Sequence, residues 1–340
     1  MPDIIARNTP ITIGTTTVRP GERAAINLPI ADLYTGGSVS MPVKVFCGRR
    51  AGPVLFVSAA IHGDELNGVE IIRRLLKRKV LSGLQGTLIA VPVVNVHGFL
   101  DQSRYLPDRR DLNRSFPGSA KGSIAARLAN TFIKQIVSQA DCGIDLHTGA
   151  INRFNLPQIR ANIDDPKTLA LAKAFGAPVI LNSDIRDGSL RACAAERGFP
   201  VLIYEAGEAL RFDDLSIRAG ISGILKVMRF LEMLPQTRSG TVISPVIADS
   251  TSWVRAPASG IVNHRAQPGA RVTEGQRIAV VGDPQGDYEE PVIAPFDGIV
   301  IGRSNLPLAH EGDALFNIAA FKSVARVEDK LEQFTATHAP

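Results

Sequence analysis

The chain has 340 residues, of which 45% are hydrophobic, and a formal net charge of +5 from 38 basic and 33 acidic side chains. That length exceeds one ordinary core and predicts two domains, while the composition is that of a globular protein. No apolar run reaches bilayer length, the first residues show no basic segment followed by a long apolar one, and the basic residues lie in scattered pairs. A membrane span, a secretory signal and nucleic-acid binding are therefore not expected. Cys47, Cys142 and Cys193 are far apart and odd in number, as buried small residues of a reducing, cytoplasmic compartment would be.

In chain order, residues 9–50 alternate β-branched and polar residues between Gly and Pro breaks, which predicts short strands at a hairpin-rich sheet edge. Residues 54–60 are an apolar run of strand length, typical of a strand covered on both faces. Behind it, apolar residues at 69, 72, 75 and 76 recur at helical spacing, with the basic run 73–79 as the wet face. Strands are expected at 87–95, 141–147, 178–181 and 200–208, and helices at 123–137, 168–175, 190–197 and 216–234. This alternation predicts α/β layers around a largely parallel or mixed sheet, over a first domain spanning 1–238 with a β-rich N-terminal segment.

Helical periodicity stops after Leu234, and Pro235-Gln236-Thr237-Arg238-Ser239-Gly240 reads as a linker. Beyond it, Ala256-Pro257-Ala258-Ser259-Gly260-Ile261-Val262 recurs as Ala294-Pro295-Phe296-Asp297-Gly298-Ile299-Val300, a turn followed by a strand each time. Two such halves predict a small all-β unit over 239–325, with 326–340 left as a tail. The unit resembles the biotinyl/lipoyl-like barrel-sandwich family. The hairpin that would carry a modified Lys in that family, residues 283–289, contains no Lys, so a structural or gating module is expected rather than a carrier.

The chemistry starts at Ile61-His62-Gly63-Asp64-Glu65, where a strand stops and delivers an imidazole and a carboxylate three residues apart. Alone this pattern is weak. His147 ends a second expected strand, however, and Glu205 lies near the end of a third. Ligand crevices of open α/β sheets lie at the carboxyl ends of strands. Two His and one Glu make a three-ligand catalytic zinc set, one ion per chain, with a fourth position for water. Zinc lowers the pKa of that water to about 7. Glu205 is then the spare carboxylate that takes the proton and hands it to a leaving amine. Taken singly, His147 could cap a loop and Glu205 could form a salt bridge. Asp145 shares a strand face with His147 and is either a partner behind it or an ordinary buried polar group.

The stretch 103–118 is dense in cations and turn residues and has no helical or strand period. Such a loop can supply one Arg to grip a substrate carboxylate with a bidentate fork, helped by an Asn, and another to stabilise an oxyanion. At this point His62-Gly63-Asp64-Glu65, Asp111-Leu112-Asn113-Arg114, Asp145-Leu146-His147 and Glu205 resemble, in order and approximate spacing, the succinylglutamate desuccinylase/aspartoacylase family. That resemblance covers residues 40–235 and implies the three-layer α/β/α fold of zinc carboxypeptidases. It implies that His62, Glu65 and His147 bind zinc, that Glu205 is general base and acid, and that Asn113 and Arg114 grip the substrate's free carboxylate. Asp111 would orient His62 from behind. The family's carbonyl-polarising position falls here on Leu106, which leaves Arg104 as the best match and Arg110 as the competing candidate.

The function these readings imply is a zinc amidohydrolase that removes an acyl group from a small N-acylated amino acid. A carboxypeptidase acting on short peptides would use the same site, and a binding protein that kept the fold without catalysis is the third reading. The C-terminal unit would narrow the mouth of the site or supply a surface for a homo-oligomer.

Overall fold

The computed structural model describes residues 6–183, 187–237 and 244–339. At its centre four parallel strands lie in the order Gln85–Val91, Arg50–Ala59, Cys142–Gly149 and Val201–Glu208. Their carboxyl ends therefore share one edge. Antiparallel strands extend the sheet on both sides: Ser38–Cys47 and Arg23–Asp32 beyond the first, and Arg153–Ala161 beyond the last. The fold is mixed α/β around a large mixed sheet of 13 strands among the described residues.

Strand alternation sorts the two faces. Leu55, Val57 and Ala59 join a core shared with the helices Asn67–Leu75, Pro166–Phe175 and Asp214–Phe230. Val54 and Phe56 face a second core, built with the helix Ile124–Gln135 and the N-terminal strands. The same alternation puts Cys142, Ile144 and Leu146 in the first core and turns Asp145 and His147 to the other face.

Several expected bounds shift. The first long strands, Arg23–Asp32 and Ser38–Cys47, have ten residues each, because they pair along their whole length. Pro29 falls on the outermost strand, where a missing N–H is tolerated. The strand expected to end at His147 runs on to Gly149, while the next central strand ends at Glu208 as expected, so His147 and Glu205 both stand within paired strand, opposite each other in register. The helix expected at 216–234 is Asp214–Phe230 and the one at 190–197 is Leu190–Ala195. The basic run 73–79 is helical only to Leu75, and Arg73 and Arg74 both bind Glu70. Cys47, Cys142 and Cys193 are buried free thiols.

Residues 238–240 of the expected linker, and the expected boundary after 238, lie outside the described residues. Beyond it, the C-terminal segment does not stand apart from the sheet. Val246–Ala248 pairs with Val179–Asn182, and Gly298–Ser304 pairs with Arg153–Ala161. The two repeat halves part company: Gly260–His264 lies in a four-stranded sheet and Gly298–Ser304 in the large one. Val262, Val281, Val300 and Phe316 fill the core between them. The stretch left as a tail belongs to the helix Val324–His338, which buries Val327, Leu331 and Phe334 against the large sheet's cores. No helix among the described residues is long and apolar enough to cross a membrane.

Candidate active site

The chain leaves the Arg50–Ala59 strand through Ala60, whose φ of 51° is left-handed and unusual for a residue with a Cβ. Two backbone bonds hold the turn: Val94 N–H donates to Ala59 O at 3.0 Å and Asn95 N–H to Ala60 O at 2.9 Å. Gly63 then packs against the 98–99 backbone so closely that a Cβ would lie 1.9 Å from the Gly98 carbonyl carbon. This turn aims His62 and Glu65 back over the sheet edge toward His147.

The three side chains converge, with ligand atoms all within 4.8 Å of one another. His62 Nδ1 lies 2.7 Å from Glu65 Oε1, and His147 Nδ1 lies 2.7 Å from Glu65 Oε2. Thr148 N–H donates to Glu65 Oε2 at 3.2 Å and fixes the carboxylate further. Each far ring nitrogen meets another carboxylate: His147 Nε2 is 2.7 Å from Asp145 Oδ2, and His62 Nε2 is 3.2 Å from Asp111 Oδ1. Asp145 is itself fixed by Ser58 Oγ, which donates at 2.8 Å.

Burial would lower the pKa of both imidazoles. The charge of Glu65 and hydrogen bonds to Asp111 and Glu65 reverse this at His62; Asp145 and Glu65 do so more strongly at His147, and both are raised. Burial would likewise raise Glu65 and Asp111, but the two histidines hold Glu65 far below the carboxylate range, and His62 with Arg104 does the same for Asp111. A buried cluster that draws positive charge this strongly fits a divalent cation. Two imidazoles and a carboxylate, with a carboxylate behind each imidazole, are the donor set and outer support that zinc takes.

Around the cluster opens a pocket of about 250 Å³. His62, Glu65, Arg104, Asn113, Arg114, His147 and Glu205 all line it. Arg104 donates to Asp111 Oδ2 at 2.8 Å, and its Nη1 lies 3.6 Å from Glu65 Oε1. Arg110 is not brought there: its side chain is 64% exposed and sits 3.7 Å from Asp108, on the outer side of the loop. Asp111 caps the short turn Leu112–Arg114, accepting from Asn113 N–H at 2.8 Å. Asn113 Oδ1 accepts from Leu190 N–H at 3.0 Å, which ties the loop to the start of the helix Leu190–Ala195.

The far wall holds residues that sequence reasoning missed. Arg153, Asn155, Arg160, Arg191 and Trp253 also line the pocket. Asn155 Nδ2 donates to Glu205 Oε2 at 2.6 Å, and Arg160 Nε lies 3.5 Å from Glu205 Oε1. Arg191 donates to Ser183 O and Oγ, each at 3.1 Å. Trp253 comes from the C-terminal strand Ser250–Arg255 and lies under the Arg153 guanidinium, 5.1 Å from ring centroid to Cζ. No motif marks these positions. The segment between His147 and Glu205 is no richer in cations than the chain as a whole, so composition gave no signal either.

The chain is similar to proteins of known class along most of its length. The succinylglutamate desuccinylase/aspartoacylase catalytic domain matches residues 51–231. N-alpha-acetyl-L-2,4-diaminobutyric acid deacetylase of Halomonas elongata is 30% identical over 308 residues, 86% of this chain and 90% of that protein. Among solved structures, a succinylglutamate desuccinylase/aspartoacylase from Rhodobacter sphaeroides superposes with a TM-score of 0.78 at 26% identity, covering 88% of this chain and 96% of the other. The product-bound ectoine utilization protein EutE (DoeB) from Ruegeria pomeroyi gives a TM-score of 0.81 at 25% identity, covering 92% and 99%. With more than half of its length matched by that catalytic domain, the chain belongs to the succinylglutamate desuccinylase/aspartoacylase family.

Proposed function

We propose that the protein is a zinc-dependent amidohydrolase that removes an acyl group from an N-acylated amino acid. The observation that carries this reading is the convergence of His62, Glu65 and His147 in one pocket with Glu205, Asn113 and Arg114. His62, Glu65 and His147 would hold the zinc ion, which when bound would supply a Lewis acid and acidify water toward neutral pH. Glu205, opposite His147 on the neighbouring strand, takes a proton at its carboxylate and returns it to the departing amine. Arg104 holds the developing negative charge on the attacked carbonyl oxygen. Asn113 and Arg114 hold the free carboxylate and so set the amide's position relative to Glu205.

The charge of the pocket narrows the substrate. Arg104, Arg114, Arg153, Arg160 and Arg191 line it, against two lining carboxylates, Glu65 and Glu205, among the described residues. That excess favours an N-acyl amino acid with a second carboxylate over one with a basic side chain. The deacetylase relative acts on a substrate of the latter kind.

The test is a panel on zinc-loaded protein: N-acetyl-L-aspartate, N-acetyl-L-glutamate, N-succinyl-L-glutamate and N-alpha-acetyl-L-2,4-diaminobutyrate, beside acidic dipeptides. Turnover confined to the acyl amino acids is expected, with the acidic ones ahead. Dipeptide cleavage at comparable rates would replace the reading with a carboxypeptidase. Glu205→Ala is expected to keep its zinc and lose about 10²- to 10⁴-fold in kcat, the usual span for general acid–base catalysis; an active variant would sink the proton-transfer role.

A further inference from the structure

We propose that Asn155 is the positioning residue for Glu205, held in place by a strand of the C-terminal segment; this rests on the reading of Glu205 as the proton-transferring group. Regular pairing of Arg153–Ala161 with Val201–Glu208 sets Ile159 opposite Tyr204 and Gln158 opposite Glu205. Ile159 faces the helix-side core, so strict alternation would send Asn155 to that same face, away from the pocket. The register slips by one residue between Glu205 and Gly207, and Asn155, rather than Leu156, stands opposite Gly207. A one-residue slip turns the side chains beyond it to the other face, which is how bulges re-aim residues beside active sites.

Asn155 thus reaches the pocket with only 6% of its surface exposed, and its Nδ2 donates to Glu205 Oε2 at 2.6 Å. Arg160 Nε stands 3.5 Å from the other oxygen, an ion pair without a hydrogen bond, so the directional contact that orients the carboxylate comes from Asn155. On its other flank Asn155 pairs with Gly302 of Gly298–Ser304, where an added Cβ would lie 3.0 Å from Asn155 Oδ1. The glycine leaves the space in which the amide can stand, and the C-terminal strand backs the side chain that orients Glu205.

The experiment measures kcat and KM of zinc-loaded, full-length Asn155→Ala, Asn155→Asp and Gly302→Ala, on whichever of the four acyl amino acids above turns over fastest. A lost hydrogen bond to a charged group predicts a fall of about 10- to 100-fold in kcat for Asn155→Ala, with KM unchanged. Asn155→Asp keeps the shape but loses the donor and adds a second anion, so at least as large a fall is expected. A purely structural Asn155 would be rescued by that isostere. Gly302→Ala is expected to lower kcat about threefold to tenfold at constant KM. It decides the matter if melting or zinc analysis shows that the Asn155 variants fail to fold. In a Glu205→Ala background, Asn155→Ala should change nothing further. Wild-type kcat in Asn155→Asp or in a folded Gly302→Ala, a loss carried by KM alone, or an additional loss on top of Glu205→Ala overturns the assignment. Full turnover in Glu205→Ala by itself would instead overturn the reading of Glu205.

Discussion

The two walls of the pocket are built differently. On the wall of the proposed metal ligands, His62, Glu65 and His147 are at most 4% exposed, and every donor faces a partner: Asp145, Asp111, Thr148 N–H or Arg104. These residues come from ends of parallel strands and one short turn, locked by backbone bonds and by glycines that admit no Cβ. The opposite wall takes Arg153, Asn155 and Arg160 from an antiparallel strand and Trp253 from the C-terminal segment. There Arg153 stacks on Trp253, and the part-buried Arg160 stands 3.5 Å from Glu205. On the proposed reading, the first wall serves the reaction that many substrates share; the second orients Glu205 through Asn155 and, through Arg153 and Trp253, meets the part in which substrates differ.

Removing the metal with a chelator should have the largest effect. Turnover is expected to vanish and to return with added zinc, with metal content followed in the same samples; full activity in metal-free protein would break the first half of the comparison. Arg114→Ala should lower kcat/KM by about 10- to 100-fold, mainly through KM, because a charge-assisted grip on the substrate carboxylate is lost. Asp111→Asn attacks the metal wall from behind. It should weaken zinc binding about 10- to 100-fold, read by competition with a chromogenic chelator, while kcat at saturating zinc changes less. Trp253→Ala should have the smallest effect, about two- to fivefold in kcat/KM through a freed Arg153, and it should change the ratio between short and long acyl groups. An unchanged ratio would separate the C-terminal segment from selectivity. Deleting that segment is a poorer test, because it would strip Gly298–Ser304 from Arg153–Ala161 and expose an edge beside Glu205.

Much of the metal wall was legible because local chemistry marks it. His62, Gly63 and Glu65 lie close together in sequence after an apolar run, and Asp145 and His147 share a strand face by simple alternation. The C-terminal repeat announced short strands but not where they would pair. Its halves entered two different sheets, and the last 15-residue helix docked on cores that reach back to Val179 and, at Phe334, to the central strands. Sequence matching ranked Arg104 ahead of Arg110 without a physical reason; the fold of the loop half-buries the first against Asp111 and leaves the second in solvent.

The sequence by itself determined the alternation of strands and helices and the ligand types at the parallel strand ends. These are short-range patterns, set by period-two and 3.6-residue spacing and by the residues that follow them. Only the tertiary structure decided the far wall. Asn155 faces Glu205 because a bulge shifts one register, and Trp253 meets Arg153 because a strand from far along the chain extends the same sheet. Register and sheet order depend on non-local pairing, which leaves no mark on any single stretch of residues.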